Sequence, residues 1–151
     1  MLQLAREADW ESVRRLSVQI HDLHVAWRPD IYYHCEEPFS KETFQNGIRE
    51  RMVYVAKLQN AVVGYVVLSI LNRGGPGAHV YKAMRLDSIC VDQNLRRQGI
   101  GKTMVADVRA LAKAFGCREL ILGVHPENDD AVAFYQKCGF RIRTINMDMK
   151  I

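Results

Sequence analysis

The segment from Val91 to Thr103 constrains the fold more than any other part of the chain, because a strand-like apolar run passes through a short basic turn directly into a helix. Apolar residues continue at helical spacing from this turn as far as Phe115. Glycines at positions 99 and 101 let the backbone approach a ligand closely. The free N–H groups of a first helical turn, together with the helix dipole, favour an anion. The segment therefore predicts a strand–turn–helix unit with an anion site. Three basic side chains add positive charge there: Arg96, Arg97 and Lys102.

Two familiar phosphate-binding motifs do not fit this segment. A P-loop also ends in Gly-Lys-Thr, as at 101–103, but it needs a glycine five residues before Gly101, where the chain has Arg96. A dinucleotide-binding turn needs a further glycine where the chain has Met104, and it follows the first strand of a parallel unit. The anion must therefore belong to another class of ligand.

Hydrophobic periodicity and turn residues predict the elements on either side of this unit. Their order predicts an α/β (α+β) domain over residues 1–151, with a mixed, mostly antiparallel sheet and helices on both faces. The glycine-rich stretch 72–77 is expected to be a loop without one fixed shape. The predicted strands are 2–5, 53–58, 61–71, about 79–91, 119–124 (buried) and 140–149, and the predicted helices run from an N-cap at Asp9 to Arg28-Pro29, from Ser40 to about Glu50, from Gly99 to Phe115 and from Asn128 to Gly139.

Composition excludes several classes of protein. The longest apolar run, 61–71, is shorter than the roughly 20 residues that span a bilayer, so we expect neither a membrane helix nor a signal peptide. The four cysteines form no C-x-x-C pair and are expected to be reduced, in the cytoplasm, and the five histidines have no metal-ligand spacing. The net charge of +4 suits a phosphorylated cofactor, whereas nucleic-acid binding would need a basic face with interleaved aromatic residues.

Two motifs in register resemble the GNAT (general N-acetyltransferase) superfamily. The first is Arg/Gln-x-x-Gly-x-Gly/Ala after a strand that ends in valine, present here as Arg96-Arg-Gln-Gly99-Ile-Gly101. The resemblance covers residues from about Val53 to the C-terminus, and the first fifty residues only in their order of strand, helix and helix. The second motif, Asn-x-x-Ala-x-x-Phe-Tyr-x-x-x-Gly-Phe, is present as Asn128, Ala131, Phe134, Tyr135, Gly139 and Phe140.

The resemblance implies acetyl-CoA as the co-substrate and implies no metal. In such enzymes the pyrophosphate lies on the N–H groups of the turn, and the pantetheine arm adds like a strand to the end of the third long strand, where two strands splay apart. Asn128 could hydrogen-bond the arm, serve as the N-cap of its own helix, or do both. The implied cofactor-binding residues are Ile89, Cys90, Val91, Arg96, Arg97, Gln98, Gly99, Ile100, Gly101, Lys102, Asn128 and Tyr135.

The resemblance also implies two catalytic side chains. Tyr135 is expected to donate a hydrogen bond or proton to the departing thiolate, unless it is simply an aromatic core residue. Asp87 resembles the carboxylate that removes the acceptor proton, directly or through water, although a structural or positioning role remains open. His125 is a second candidate base, but a histidine in a loop before proline is also typical of a surface residue. The backbone N–H near Val91 would polarise the thioester carbonyl.

The variable N-terminal region is expected to bind the acceptor. Its aromatic and acidic residues suit a cationic amine, with Trp27, Tyr32 and Tyr33 as the substrate-binding candidates, but such residues also cap helices and pack a small core. We therefore expect an N-acetyltransferase that acts on a primary amine of a small cationic molecule by direct attack in a ternary complex, and that can form a homodimer. The alternatives are a protein N-terminal or lysine acetyltransferase, a non-catalytic acyl-CoA sensor and a nucleic-acid-binding domain.

Overall fold

The computed structural model describes residues 1–151 as one five-stranded sheet with helices packed against it. Neighbouring strands are antiparallel, except that β4 and β5 are parallel. The strands lie in the order of their numbers. They are β1 (Leu2–Leu4), β2 (Val53–Leu58), β3 (Ala61–Gly75), β4 (Ala78–Val91) and β5 (Glu119–Leu122), and the helices are α1 (Trp10–Trp27), α2 (Lys41–Arg49), α3 (Ile100–Ala114) and α4 (Asp129–Lys137).

Strand β2 shows how the sheet separates two hydrophobic cores. Val53 and Val55 pack in a cluster with buried residues of α1 and α2. Tyr54 and Ala56 point to the other face and join a cluster with buried residues of α3. This alternation is the two-residue period of a strand that is covered on both faces. The predicted mixed sheet with helices on both faces is therefore confirmed.

Several predicted boundaries depend on local hydrogen bonds or turns that the structure contains. Ser40 caps α2, since its Oγ accepts a hydrogen bond from the Thr43 N–H at 3.1 Å. The turn between β2 and β3 has Gln59 and Asn60 at φ of 48° and 67°, as a tight hairpin requires. Asp9 does not cap α1 through its side chain, contrary to the prediction, because its carboxylate binds the Arg6 N–H and the Lys57 ammonium instead.

The glycine-rich stretch 72–77 is not a shapeless loop, so that prediction is wrong. Strand β3 continues to Gly75 and β4 starts at Ala78, so the two form one long hairpin. Gly74 and Gly77 have φ of 96° and 78°, a left-handed conformation that glycine adopts without steric cost. The glycines therefore shape the turn instead of loosening it.

The predicted last strand, 140–149, is absent from the sheet. The Phe140 N–H bonds the Tyr135 carbonyl at the end of α4, and residues 141–151 make no backbone–backbone hydrogen bond. Strand β5 is consequently an edge strand. It is shorter than predicted and half-buried instead of buried, since only β4 lies beside it. None of the helices combines the length and the apolar character that crossing a membrane requires.

Candidate functional site

Strands β4 and β5 separate after Leu86 and Leu122. Their pairing runs from Ala83 opposite Glu119 to Leu86 opposite Leu122, and β4 then continues to Val91 with β3 as its only partner. The backbone groups on the free side of this last part of β4 can therefore pair with an extended ligand. This part of β4 contains Ile89, Cys90 and Val91, the residues that the family resemblance assigns to the pantetheine arm.

A β-bulge at Asp87 redirects the side chains of β4. Val67 pairs with Ser88 and Leu68 with Leu86, so Asp87 is the extra residue on β4. Leu86 packs in the cluster with α3, whereas Cys90, which has the same parity in sequence, packs in the cluster with α1. An extra residue reverses the alternation of a strand, and bulges often redirect side chains in this way beside active sites.

Asp87 and Ser88 line a cleft of about 410 Å³ between the sheet, α1 and the segment before α2. The Asp87 carboxylate accepts a hydrogen bond from Arg85 Nε. Ser88 Oγ donates to the hydroxyl of Tyr65 at 3.1 Å. His21 and His24 of α1 contribute to the opposite wall. The cleft therefore brings a carboxylate and two imidazole rings to one face of the splayed sheet, and its volume suits a small ligand.

The basic turn after β4 has the geometry of an anion site. Arg97 and Gly99 have φ of 62° and 84°, and α3 begins immediately afterwards. The backbone N–H groups from Arg97 to Lys102 donate to no protein acceptor, and Thr103 is the first residue of α3 to bond back, to the Gly99 carbonyl at 3.1 Å. A row of free N–H groups at the positive end of a helix binds anions such as phosphate.

Helix α1 holds this turn in position. Arg15 Nη1 lies 2.7 Å from Asp92 Oδ2, and the other Asp92 oxygen accepts a hydrogen bond from the Asn94 N–H at 3.1 Å. The hydrogen bond from Arg15 is the main reason that the pKa of Asp92 lies below its usual value. Gln19 Oε1 also accepts a hydrogen bond from the Gln93 N–H. Sequence reasoning missed these contacts, although aspartate at a strand end two residues before Asn94 is a common turn signal.

The basic side chains around the turn have different roles. Arg96 Nε donates to the Val91 carbonyl at 3.2 Å, which folds the guanidinium back over the end of β4. Arg97 pairs with Asp130 of α4 at 3.1 Å, and both side chains are exposed. Such an exposed pair contributes little to stability, so Arg97 can turn to another anion at small cost.

The two glycines of the turn differ in what they allow. A Cβ at Gly99 would meet nothing within 4 Å, so the positive φ is the constraint there. A Cβ at Gly101 would lie 3.3 Å from Cζ of Phe134. Gly101 thus allows α3 to pack closely against α4, and its N–H belongs to the free row of the turn.

Tyr135 lies on α4, half-buried beside the α3 cluster. Its ring centroid is 5.3 Å from that of Phe134 and 5.6 Å from that of Phe140. Burial raises the pKa of Tyr135 to about 12, so the phenol stays protonated at neutral pH. Asn128 caps the same helix through Oδ1, which accepts a hydrogen bond from the Ala131 N–H at 3.1 Å. Its amide N–H groups, and the second lone pair of Oδ1, remain for a ligand.

The Cys90 thiol is a core group. Its Sγ donates to the Leu16 carbonyl at 3.4 Å, and burial raises the pKa of the thiol to about 11. A protonated thiol is a poor nucleophile. The Cys90 side chain therefore serves to pack β4 against α1, and its backbone faces Tyr65 of β3, whereas Ile89 and Val91 present their backbone groups to the free side.

A row of aromatic rings extends along α1 to the end of β5. The centroids of Tyr32 and His24 are 5.7 Å apart, those of His24 and Trp27 are 5.4 Å apart, and Trp27 stacks on His125 at 5.6 Å. Tyr33 does not join the row, since its side chain is 82% exposed and only its carbonyl bonds His21 Nε2. Of the three predicted substrate-binding residues, the structure brings Trp27 and Tyr32 together.

Comparisons with known proteins agree with this geometry. Residues 17–140 match the acetyltransferase (GNAT) family. The [ribosomal protein bS18]-alanine N-acetyltransferase of Escherichia coli is 27% identical over 118 residues, which cover 75% of this chain and 74% of that protein. The N-acetyltransferase YvbK of Bacillus subtilis is 33% identical over 67 residues, which cover 44% of this chain and 43% of that protein. The chain thus spans less than half the length of YvbK.

Solved structures share the fold over the whole chain. A mutant of the BH1408 protein from Bacillus halodurans superposes with a TM-score of 0.94 at 27% identity, covering 100% of this chain and 99% of that one. An aminoglycoside N-acetyltransferase in complex with CoA superposes with a TM-score of 0.71 at 19% identity, covering 100% of both chains.

Proposed function

The chain belongs to the acetyltransferase (GNAT) family, and from that premise we propose that it transfers the acetyl group of acetyl-CoA to a primary amine of a small cationic molecule, by direct attack in a ternary complex. Residues 1–151 would act as one catalytic domain. The observation that carries the proposal is the row of free N–H groups from Arg97 to Lys102, beside the unpaired end of β4.

The residues present fit coenzyme A. The free N–H groups of the turn suit a pyrophosphate, and Arg97 and Lys102 supply exposed cations next to it. The free side of β4 from Asp87 to Val91 suits the amide groups of the pantetheine arm, which would pair with it like an added strand. When bound, acetyl-CoA supplies the activated acetyl group, while the Val91 backbone N–H would polarise its carbonyl.

Tyr135 is the proposed general acid. Its phenol is the form that can donate to the departing thiolate, and the raised pKa keeps it in that form. Its hydroxyl makes no hydrogen bond within the protein, so the proton is available to a ligand. The aromatic rings around Tyr135 would exclude water from the sulfur as it leaves.

The proposed acceptor site is the cleft at Asp87 with the aromatic row beside it. Aromatic faces attract an ammonium ion, which supports a cationic amine. The ammonium must lose a proton before it can attack, and Asp87 would accept this proton through a water molecule. The bulge that turns β4 at Asp87 supports this role, because it points the carboxylate to the side of the sheet where the cleft lies.

A peptide amine is the second candidate acceptor. The E. coli relative that matches three quarters of this chain is named as an N-acetyltransferase for an alanine of ribosomal protein bS18. A non-catalytic acyl-CoA sensor would instead bind the cofactor at the basic turn and transfer no acetyl group.

The four cysteines are free, which supports a reducing cytoplasmic location.

Release of the CoA thiol tests the proposal most directly. The purified chain is incubated with acetyl-CoA and, separately, with polyamines, aminoglycosides, amino acids and peptides with free N-termini or lysines. We expect thiol release with a small polyamine or aminoglycoside at kcat/KM well above that with the peptides. A preference for peptides would favour the second candidate. Binding of CoA by calorimetry without turnover on any amine would favour the sensor.

A further inference from the structure

His24 of α1 is the residue at which the proposed acceptor cleft meets the aromatic row. It lines the cleft together with Asp87 of β4, and no other residue of the row does so. Its ring contacts Tyr32 and Trp27 edge to face, with interplanar angles of 68° and 72°. These two contacts restrict the rotation of the imidazole. A ligand that extends from Asp87 to the aromatic rings therefore passes His24.

A hydrogen bond to the backbone determines which ring nitrogen of His24 carries the proton. Nδ1 lies 2.9 Å from the carbonyl oxygen of Ile20, one turn earlier on α1. A carbonyl oxygen only accepts hydrogen bonds, so Nδ1 is the donor and the neutral ring has its lone pair on Nε2. Nε2 has no partner in the protein, and it is not enclosed by other atoms. The fold therefore presents Nε2 as a fixed hydrogen-bond acceptor that a ligand can reach.

The other polar groups of the cleft also favour a ligand that donates hydrogen bonds. Neither lysine nor arginine lines the cleft, and Asp87 supplies its only carboxylate. The Ser17 hydroxyl already donates to the Arg14 carbonyl, and the Ser88 hydroxyl donates to that of Tyr65. A ligand carboxylate would find no cation in this cleft, whereas ammonium groups would find acceptors.

We propose that His24 selects acceptors with a second amino group: its Nε2 accepts a hydrogen bond from an ammonium group that does not react, while the reacting amine lies at Asp87. The inference rests on the proposed function, because it takes the cleft as the acceptor site. A hydrogen bond from a charged donor is stronger than one between neutral groups. The rings of Tyr32 and Trp27 beside His24 add attraction for the second cation. The favoured acceptor is therefore a small diamine or polyamine, in preference to a monoamine or an amino acid.

Steady-state kinetics with matched amines and matched variants test the role of His24. Diamines of increasing length are compared with the monoamines in which a methyl group replaces the second amino group. The parent should favour the best diamine roughly 10-fold in kcat/KM, as one hydrogen bond from a charged group allows. His24→Asn keeps an N–H for the Ile20 carbonyl but removes Nε2, so it should raise the KM of the diamine by about that factor and leave kcat, and the KM of the monoamine, nearly unchanged.

Two further variants separate the acceptor nitrogen from the rest of the ring. His24→Gln places an amide oxygen near the position of Nε2 and should retain most of the preference for diamines. His21→Gln is the matched change one turn earlier, because it keeps an N–H for the Tyr33 carbonyl and removes the free nitrogen of that ring. The preference should disappear only in His24→Asn. Equal losses in His24→Asn and His21→Gln would overturn the assignment to His24.

Equilibrium binding distinguishes failure of this inference from failure of the proposed function. Calorimetry on the chain saturated with CoA measures the Kd of the best diamine whether or not acetyl transfer occurs, and His24→Asn should raise this Kd roughly 10-fold. Acetyl transfer without a preference for diamines, or with a preference that survives in His24→Asn, would overturn the role of His24 and leave the proposed function in place. Diamine binding that depends on His24 in a chain without turnover would support the role of His24 and remove the proposed function. A chain that binds no diamine would overturn the inference.

Discussion

Arg15 of α1 and Asp92, directly after β4, form an ion pair of 2.7 Å that connects the two sides of the candidate active site. Arg15 belongs to the helix that carries His21 and His24 along the proposed acceptor cleft. Asp92 opens the turn whose N–H groups face the expected pyrophosphate. The pair therefore fixes the position of the cofactor turn relative to the acceptor side, although neither residue is expected to contact a reacting atom.

The first prediction concerns this pair. Arg15→Gln should raise the Kd for acetyl-CoA by roughly 3- to 10-fold, because the turn loses a fixed attachment and binding must then order it. Calorimetry measures the Kd directly. Arg14→Gln is the matched control, since Arg14 pairs only with the exposed Glu11 and with a carbonyl of the loop before α2. Equal effects of the two variants would show that loss of positive charge, and not loss of the attachment, weakens binding.

The second prediction concerns Gly99, the left-handed glycine of the turn. Gly99→Ala should weaken acetyl-CoA binding by at least about 10-fold, because a Cβ disfavours a φ of 84° and the row of N–H groups then turns away from the ligand. The matched control is Gly116→Ala, which has a φ of 72° and equally open surroundings at the other end of α3. Both variants should lose similar thermal stability, about 1 kcal/mol. Only Gly99→Ala should change the Kd.

Much of this fold was predictable because its signals are local. The cap at Ser40, the turn at Gln59 and Asn60, and the helix from the basic turn to Gly116 each depend on residues close in sequence. The splay of β4 and β5 was expected only through the family resemblance. The bulge at Asp87 leaves no pattern that a single sequence reveals, since it depends on how β3 pairs with β4.

Where the structure departs from the sequence prediction or adds to it, contacts between distant residues are the cause. Asp9 does not cap α1 because its carboxylate binds Lys57, and the role of Asp92 depends on Arg15 of α1. The alternation in residues 140–149 predicted a strand that the structure does not contain. Alternation does not indicate which sheet edge a segment will pair with. In this structure residues 141–151 make no backbone–backbone hydrogen bond with any strand.

The third prediction concerns the aromatic row. Trp27→Ala should raise the KM for a cationic amine about 10-fold while leaving the Kd for acetyl-CoA unchanged, because Trp27 stacks on His125 at the acceptor side and is far along α1 from Arg15. Tyr33→Ala is the control, since the ring of Tyr33 is exposed and lies outside the row. Steady-state kinetics with each substrate varied in turn will separate the two KM values. An unchanged amine KM in Trp27→Ala would remove the row from the acceptor site.

The fourth prediction concerns Tyr135. Tyr135→Phe should lower kcat by roughly 10²-fold with little change in the KM for acetyl-CoA, as expected for loss of a positioned acid. The fold should be unaffected, because the hydroxyl has no partner in the protein and the ring remains. With a pKa raised to about 12, the phenol of the parent stays protonated, so kcat should show no decline between pH 7 and 10 from this group. Activity of the variant within a factor of two of the parent would assign Tyr135 to packing alone.

The last prediction separates a base at Asp87 from deprotonation of the amine by bulk water. If Asp87 removes the acceptor proton through a water molecule, kcat/KM should rise with pH to a plateau, and Asp87→Asn should lower that plateau by roughly 10²-fold while acetyl-CoA still binds. Arg85→Gln is the necessary comparison, because Arg85 Nε donates to the Asp87 carboxylate.

The comparison works because the two roles of Asp87 predict different results for Arg85. If Asp87 only holds Arg85 in place, both variants lose the same contact and should have similar rates. If Asp87 is the base, Arg85→Gln keeps the carboxylate that accepts the proton, so its plateau should stay within a few-fold of the parent while that of Asp87→Asn falls. A profile in Asp87→Asn that follows the pKa of the free amine at the rate of the parent would mean that water, and not Asp87, takes the proton.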